Sequence, residues 1–272
     1  MSPGRRKEGP VDAVGTAGAA RSGVAAVVLA AGMGKRMHSD LAKVLHLMAG
    51  RPLLAHVLDT LDELRVARTV VVIGHQRERV QAAFADRRGI EWAIQAEQRG
   101  TGHACMMAEP LLGDFRGTVL VVCGDTPLLT ARTLRALLDR HARAGAQVTV
   151  LSMRLADPAG YGRIVRTADG EGIERIVEEK DASPAQKQLD EVNSGIYAFD
   201  HAALSGVLTS LTANNAQGEY YLTDTVSLIQ ARGGRAAVWC ADDARELLGI
   251  NTPEQLAEAE HAWLAMRRGD GA

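Results

Sequence analysis

Two clusters of small and charged residues stand where an α/β protein places its chemistry. The first is Leu29-Ala30-Ala31-Gly32-Met33-Gly34-Lys35-Arg36-Met37, with Lys43 a few residues on. Small residues let the backbone approach a ligand, and glycines free the amides to face anionic oxygens. Lys35, Arg36 and Lys43 bring three cations to this turn, the chemistry of a polyphosphate site. The second cluster is Cys123-Gly124-Asp125-Thr126-Pro127-Leu128, a carboxylate braced by Gly and Pro. Asp125 there is placed to hold Mg²⁺ against a nucleotide phosphate. Each cluster alone also fits a blander role: a strand-to-helix turn with solvated cations, and an aspartate capping a turn before proline.

Two familiar nucleotide motifs fail on spacing. A Walker loop needs Ser or Thr after Gly-Lys, and Arg36 follows Gly34-Lys35. The dinucleotide fingerprint matches at Gly32 and Gly34 but has Met37 at its third position.

Further segments carry polar groups suited to a base and a sugar. In Gln95-Ala96-Glu97-Gln98-Arg99-Gly100-Thr101-Gly102-His103-Ala104, Gln95 offers an amide to a nucleobase edge, and Gly100 lets a ring lie against backbone. Thr101 suits a helix cap as well as a ligand, and His103 suits packing. Gly160-Tyr161-Gly162-Arg163-Ile164, the run Glu178 to Asp181, and Glu191-Val192-Asn193-Ser194-Gly195 join a glycine amide, carboxylates and an asparagine. That set fits an amide-bearing sugar better than an apolar ligand, although Glu178 to Asp181 taken alone reads better as a solvated charge run. Asn214 to Asp224 is unusually polar for a chain rich in Ala and Leu.

The elements that position these residues alternate. Strands are expected at Val24–Leu29, Thr69–Ile73, Glu91–Ile94, Thr118–Val122 and Gln147–Arg154. Helices are expected from Pro52 to about Leu64, at Gln76–Ala85, from Thr101 and at Leu129–Ala144. Such alternation implies right-handed crossovers and a mostly parallel sheet covered on both faces, with ligands beyond the carboxyl ends of the strands. After Arg154 the rhythm changes to a hairpin, Arg163–Arg166 with Gly172–Val177, and a helical patch near Pro184. A strand Ser194–Phe199, helices from His201 and Glu219, a strand Arg235–Trp239 and a last helix, Glu254 to about Met266, complete the pattern. With no Pro/Gly/Ser-rich linker, this reads as one domain, 23–268, carrying a small β-containing substrate-side insertion.

Bulk properties bound the function classes. The chain has 272 residues, enough for a substantial core, and a net charge of −2 gives no field for nucleic acid or membrane. Its three cysteines lie far apart with no C-x-x-C pair, as expected of a reducing cytoplasm. Met1–Ser22 lacks the apolar core of a signal peptide and reads as a disordered tail, with 269–272 a short tail at the other end.

Taken in order, these segments resemble the uridylyltransferase domain of the bacterial bifunctional GlmU type, N-acetylglucosamine-1-phosphate uridylyltransferase, from about Ala25 to Trp263. The most discriminating matches are Gln95–Ala104, Gly160–Ile164, Glu178–Ala182 and Asn214–Asp224. The resemblance implies a Rossmann-like nucleotidyltransferase fold and the activity of a UDP-N-acetylglucosamine diphosphorylase: UTP and N-acetylglucosamine 1-phosphate give the nucleotide sugar, a cell-envelope precursor, and pyrophosphate. It implies that Leu29, Ala30, Ala31 and Gly32 contact uridine, with Gln95, Gly100 and Thr101 around the base and ribose, and Cys123 and Gly124 beside the nucleotide. Arg36 and Lys43, the catalytic residues, would hold the triphosphate and stabilise charge building on the α-phosphate, Asp125 and Asn251 would ligate Mg²⁺, and Gly162, Glu178 and Asn193 would bind the sugar. Cys123 stands where the family often carries a larger residue. The family's left-handed β-helix, which acetylates and trimerises, has no repeats in this sequence, so a monomer or weak oligomer without that activity is expected. A related enzyme of different sugar or base specificity and a catalytically silent binding module are the alternatives.

Overall fold

Valine-rich runs too short for helices become the buried strands of one sheet. The computed structural model describes residues 23–269, so the expected disorder of Met1–Ser22 and residues 270–272 lie outside the described part. In chain order the elements are β1 Gly23–Ala30, β2 Leu47–Met48, β3 Arg51–Pro52, α1 Leu53–Leu64, β4 Arg68–Ile73, α2 Arg77–Ala83, β5 Ile90–Ile94, α3 Thr101–Leu112 and β6 Gly117–Cys123. There follow α4 Ala131–Ala144, β7 Val148–Arg154, the hairpin β8 Arg163–Arg166 and β9 Ile173–Val177, α5 Pro184–Lys187, β10 Glu191–Asp200, α6 His201–Leu208, α7 Asp224–Ala231, β11 Ala236–Cys240 and α8 Pro253–Gly269. The main sheet runs β11-β7-β10-β6-β1-β4-β5, with β8 and β9 attached beside β10.

The sheet is a Rossmann-like core with one inversion. β1 pairs parallel with β4 and β6, and β4 with β5, as the crossovers require. β10 instead enters antiparallel between β6 and β7. Along β1, Ala25 and Val27 face one core while Ala26 and Val28 face the other. Helices α3, α6 and α7 cover the first face; α1, α2 and α4 cover the second. A third small cluster seats α8 through Ala259 against Met37, Met48, Leu53 and Leu128.

Several boundaries differ from the sequence reading for local reasons. The helix expected from Leu129 starts at Ala131, because the Thr130 hydroxyl accepts from Thr133 N at 3.2 Å and caps it. The helix expected from Glu219 starts only at Asp224, since residues 215–222 are engaged in bonds to distant parts of the chain described below. β10 begins at Glu191, three residues early, because Ser152, at 2.6 Å, and Arg166 satisfy that buried carboxylate. The last helix continues to Gly269, one residue past the expected end of the domain.

Candidate active site

The carboxyl ends of β1, β5 and β6 and the first residues of the inverted β10 all open on one side of the sheet. Two cavities lie there. One, of about 270 Å³, runs along the β1 turn and the start of α3; the other, of about 210 Å³, lies between the 160–162 loop, β9 and β10. Leu29, Thr101 and Cys123 line both, so they form the shared wall.

The floor of the first cavity holds a largely buried ion pair. The Lys43 ammonium makes an ion pair with Asp125 and donates to Asn251 Oδ1 at 3.0 Å. Both charged side chains are only 15% exposed, so solvent screens the pair weakly. Asp125 and Asn251 are far apart in sequence but are joined by backbone, with Ile250 N donating to the Asp125 carbonyl at 2.9 Å. The Asn251 amide donates through Nδ2 to the Gly249 carbonyl at 3.1 Å, which turns its oxygen toward Lys43. Two hard oxygens, one anionic, thus converge on a single cation. Lys43 itself fits against Gly34, whose left-handed backbone (φ 66°) lacks a Cβ that would stand 2.7 Å from the lysine stem.

Ala30, Ala31 and Gly32 line the first cavity with Gln95, Gly100 and Asp125. Several of these residues do structural work that the sequence left open. Both N–H donors of the Gln95 amide are engaged, with the Gly100 carbonyl at 2.9 Å and His103 Nδ1 at 3.1 Å. Gln95 therefore fixes the 95–103 turn, and its carbonyl oxygen is the group left for a ligand. Gly100 (φ 100°) is a glycine because a Cβ would meet the Tyr220 carbonyl at 2.6 Å, so a strap of backbone rather than a ring occupies that space. Thr101 is not the helix cap; Gly100 is, and the Thr101 hydroxyl accepts from Leu222 N at 3.1 Å. The Gly124 amide donates to the Leu29 carbonyl at 2.9 Å, and Gly124 binds β6 to β1 without lining either cavity. Arg36 is exposed and makes no ion pair or hydrogen bond with the described residues. Its charge nevertheless acts on the Tyr161 phenol, whose ionisation burial and Asp125 push up and Arg36 pulls down.

The second cavity is lined by Gly162, Glu178 and Asn193, with Gly195 and Thr223. A bulge between Asn193 and Ile196 turns Gly195 (φ 80°) toward Cys123. A Cβ on Gly195 would meet the thiol at 2.9 Å, so the pair is matched in size. Burial and the charge of Asp125 push the Cys123 thiol up to about 12, which keeps it protonated and non-nucleophilic. Asn193 Oδ1 accepts from Gly195 N at 3.1 Å and holds the bulge. Sequence reasoning gave no part to Thr223, which donates to Glu178 Oε1 at 2.9 Å. It ends the strap: Gly102 N donates to Tyr220 O, Ala216 N and the Tyr221 hydroxyl donate to Asp181, and the strap so joins both cavities.

Burial, with nearby Asp224, Asp181 and Glu219 opposing the Thr223 bond, raises the Glu178 carboxyl above its ordinary value. A raised carboxyl destabilises the fold when charged, and that penalty vanishes as pH falls through the raised value. Glu178→Gln, which keeps the acceptor for Thr223, is therefore expected to raise Tm at neutral pH by roughly 2 °C. The advantage should shrink on acidification; an advantage that grew as pH fell would contradict the electrostatic origin.

The model of the MobA-like NTP transferase domain family matches residues 26–192, more than half of the chain and all the strands around the first cavity. The chain belongs to the MobA-like NTP transferase family. Within this family of nucleotidyltransferases, the Heliobacterium modesticaldum protein named "Bifunctional protein GlmU" is 52% identical over 235 residues, covering 86% of this chain and 51% of that protein. A Corynebacterium glutamicum protein of the same name is 51% identical over 240 residues, covering 86% and 49%. The chain thus spans about half the length of the curated relatives it matches. A Bacillus anthracis structure described as a glucose-1-phosphate thymidylyltransferase superposes with a TM-score of 0.71 at 19% identity, covering 88% of this chain and 94% of that one. At that identity it shows the shared nucleotidyltransferase fold alone. Among the described residues, no helix is long and apolar enough to cross a membrane.

Proposed function

We propose that this chain transfers the uridylyl group of UTP to N-acetylglucosamine 1-phosphate, giving UDP-N-acetylglucosamine and pyrophosphate. The observation that carries the proposal is the convergence of Lys43, Asp125 and Asn251 beneath two cavities that share one wall. The relatives named GlmU, each about half identical to this chain, support the choice of substrates.

The reaction needs charge management more than proton transfer. A sugar-phosphate oxygen, anionic at neutral pH, attacks the α-phosphorus in line. A new phosphorus–oxygen bond forms as the bond to the β-phosphate bridging oxygen breaks, and pyrophosphate leaves with that electron pair. No general base is required, and mutual repulsion of two anions is the main barrier. Lys43 at the cavity floor and the exposed Arg36, whose charge acts on the nearby Tyr161 phenol, are the cations that would lower it in this reading. Glu178 and Asn193 offer oxygens to sugar hydroxyls and the acetamido N–H.

A divalent ion, Mg²⁺ in this reading, fits the oxygens of Asp125 and Asn251, because they already share one cation and are hard donors. When bound, it would neutralise phosphate oxygens and stabilise the leaving pyrophosphate. Two protein ligands suit an ion that completes its shell from substrate and water.

Incubation with UTP, N-acetylglucosamine 1-phosphate and Mg²⁺ is expected to yield UDP-N-acetylglucosamine, identified by mass spectrometry, with stoichiometric pyrophosphate. Equal turnover of glucose 1-phosphate or of another nucleoside triphosphate would sink the assignment of specificity, and absence of pyrophosphate release would sink the activity. In the same assay Glu178→Gln should raise KM for the sugar phosphate while leaving KM for UTP near wild type.

A further inference from the structure

Gln76 lies outside both cavities, yet its contacts end one residue short of Lys43. It occupies the turn between β4 and α2 with a left-handed backbone, φ 51° and ψ 36°. A side chain is disfavoured there and glycine is the common solution. Helix α2 gains no capping bond from this side chain. The side chain reaches instead to a loop 34 positions earlier, where Oε1 accepts from Ala42 N at 3.0 Å and Nε2 donates to the Asp40 carbonyl. One planar amide therefore grips a donor and an acceptor of the same short backbone segment. Arg79 donates to the same Oε1 at 3.3 Å and steadies its orientation. Ala42 is buried, whereas His38, Ser39 and Asp40 before it are exposed. The grip thus falls where the loop passes from solvent into the core, directly before Lys43. From the other side Gly34 closes on the lysine stem.

We propose that Gln76 is a positioning residue for Lys43, fixing the backbone from which the ammonium reaches the Asp125–Asn251 pair and the reacting phosphates. It rests on the reading of Lys43 given above. A lysine on a flexible four-carbon stem gains little from charge unless its base is fixed, and small misplacements of catalytic groups are costly.

A double-mutant cycle on the full chain, with kcat measured for UTP and N-acetylglucosamine 1-phosphate, tests this. Gln76→Gly relaxes the left-handed turn, so Tm should hold or rise, while kcat falls roughly 10- to 100-fold with KM for the sugar phosphate nearly unchanged. Gln76→Asn, which tolerates the same backbone but is one methylene too short, should lose a similar factor; this separates reach from added flexibility. In a Lys43→Ala background, Gln76→Gly should cost nothing further. Wild-type kcat in Gln76→Gly, or the same fold-loss in both backgrounds, overturns the proposal and leaves the role of Lys43 standing. Full kcat in Lys43→Ala alone overturns both together.

Discussion

Lys43→Ala is expected to lower kcat at least roughly 10³-fold, the scale associated with removing a cation that meets charge developing in phosphoryl transfer. Position is the reason. The ammonium sits among oxygens in a half-enclosed cavity where solvent screens little, and its side chain is only 15% exposed. The variant also leaves the Asp125 carboxylate without its lysine partner. A second effect should accompany the first: a lower Tm that added Mg²⁺ restores by filling the gap between Asp125 and Asn251. Turnover should not return with it, because an ion held there does not replace a charge carried on a movable stem. Lys43→Arg is not expected to rescue either, since a planar fork cannot supply a compact charge beside Gly34. Steady-state kinetics with melting curves in and without Mg²⁺ separate the two effects. A purified, folded Lys43→Ala protein with near wild-type kcat would remove the electrostatic core of the mechanism.

Arg163→Met is expected to lower stability by about 3 kcal/mol, or roughly 6 °C in Tm. Arg163 is 2% exposed at the start of β8. Its guanidinium pairs with Glu179 at 2.9 Å and donates to the Tyr161 and Lys187 carbonyls. Truncation to Met keeps the apolar stem but strands one carboxylate and two carbonyls. The Glu179 oxygen facing Arg163 is buried, but the side chain as a whole is 26% exposed, so hydration of the rest of the carboxylate keeps the effect at the lower end for a broken buried pair. Arg163→Lys should fall between, since one ammonium cannot serve three acceptors in that plane. Thermal melts of both variants decide it; an Arg163→Met protein within 1 °C of wild type, roughly the precision of such a comparison, would show that the three acceptors find other partners. The 160–162 loop forms one wall of the second cavity, so a rise in KM for the sugar phosphate should accompany the lost stability.

Much of this architecture was legible in the sequence because its physics is local. The apolar runs of β1, β4 and β6, Pro52 ahead of α1 and the turn before β9 all announce themselves through composition and spacing. The inversion of β10 does not, because a strand buried on both faces shows the same apolar run whichever way it points. Glu191 hid the start of that strand, since a carboxylate reads as loop until its buried partners are known. At the site, Lys43 and Asp125 were legible as separate clusters flanking a phosphate, and the structure joins them directly. Gly100 was legible as a glycine but not for its reason, which is the Tyr220 carbonyl more than a hundred residues later. Gln76 carried no signal, because a single amide after a strand is indistinguishable from ordinary turn chemistry.

The inverted strand also governs the order in which the protein can assemble during synthesis. Residues 119–121 of β6 wait for partners at 197–199, so their hydrogen-bonding edge stays open until the ribosome has made nearly eighty further residues. That edge is Val119-Leu120-Val121, fully apolar and in the middle of the finished sheet. A nascent chain released before β10 would present it as a template for intermolecular pairing. Shortened forms ending near Arg154 are therefore expected to precipitate where the full chain stays dispersed.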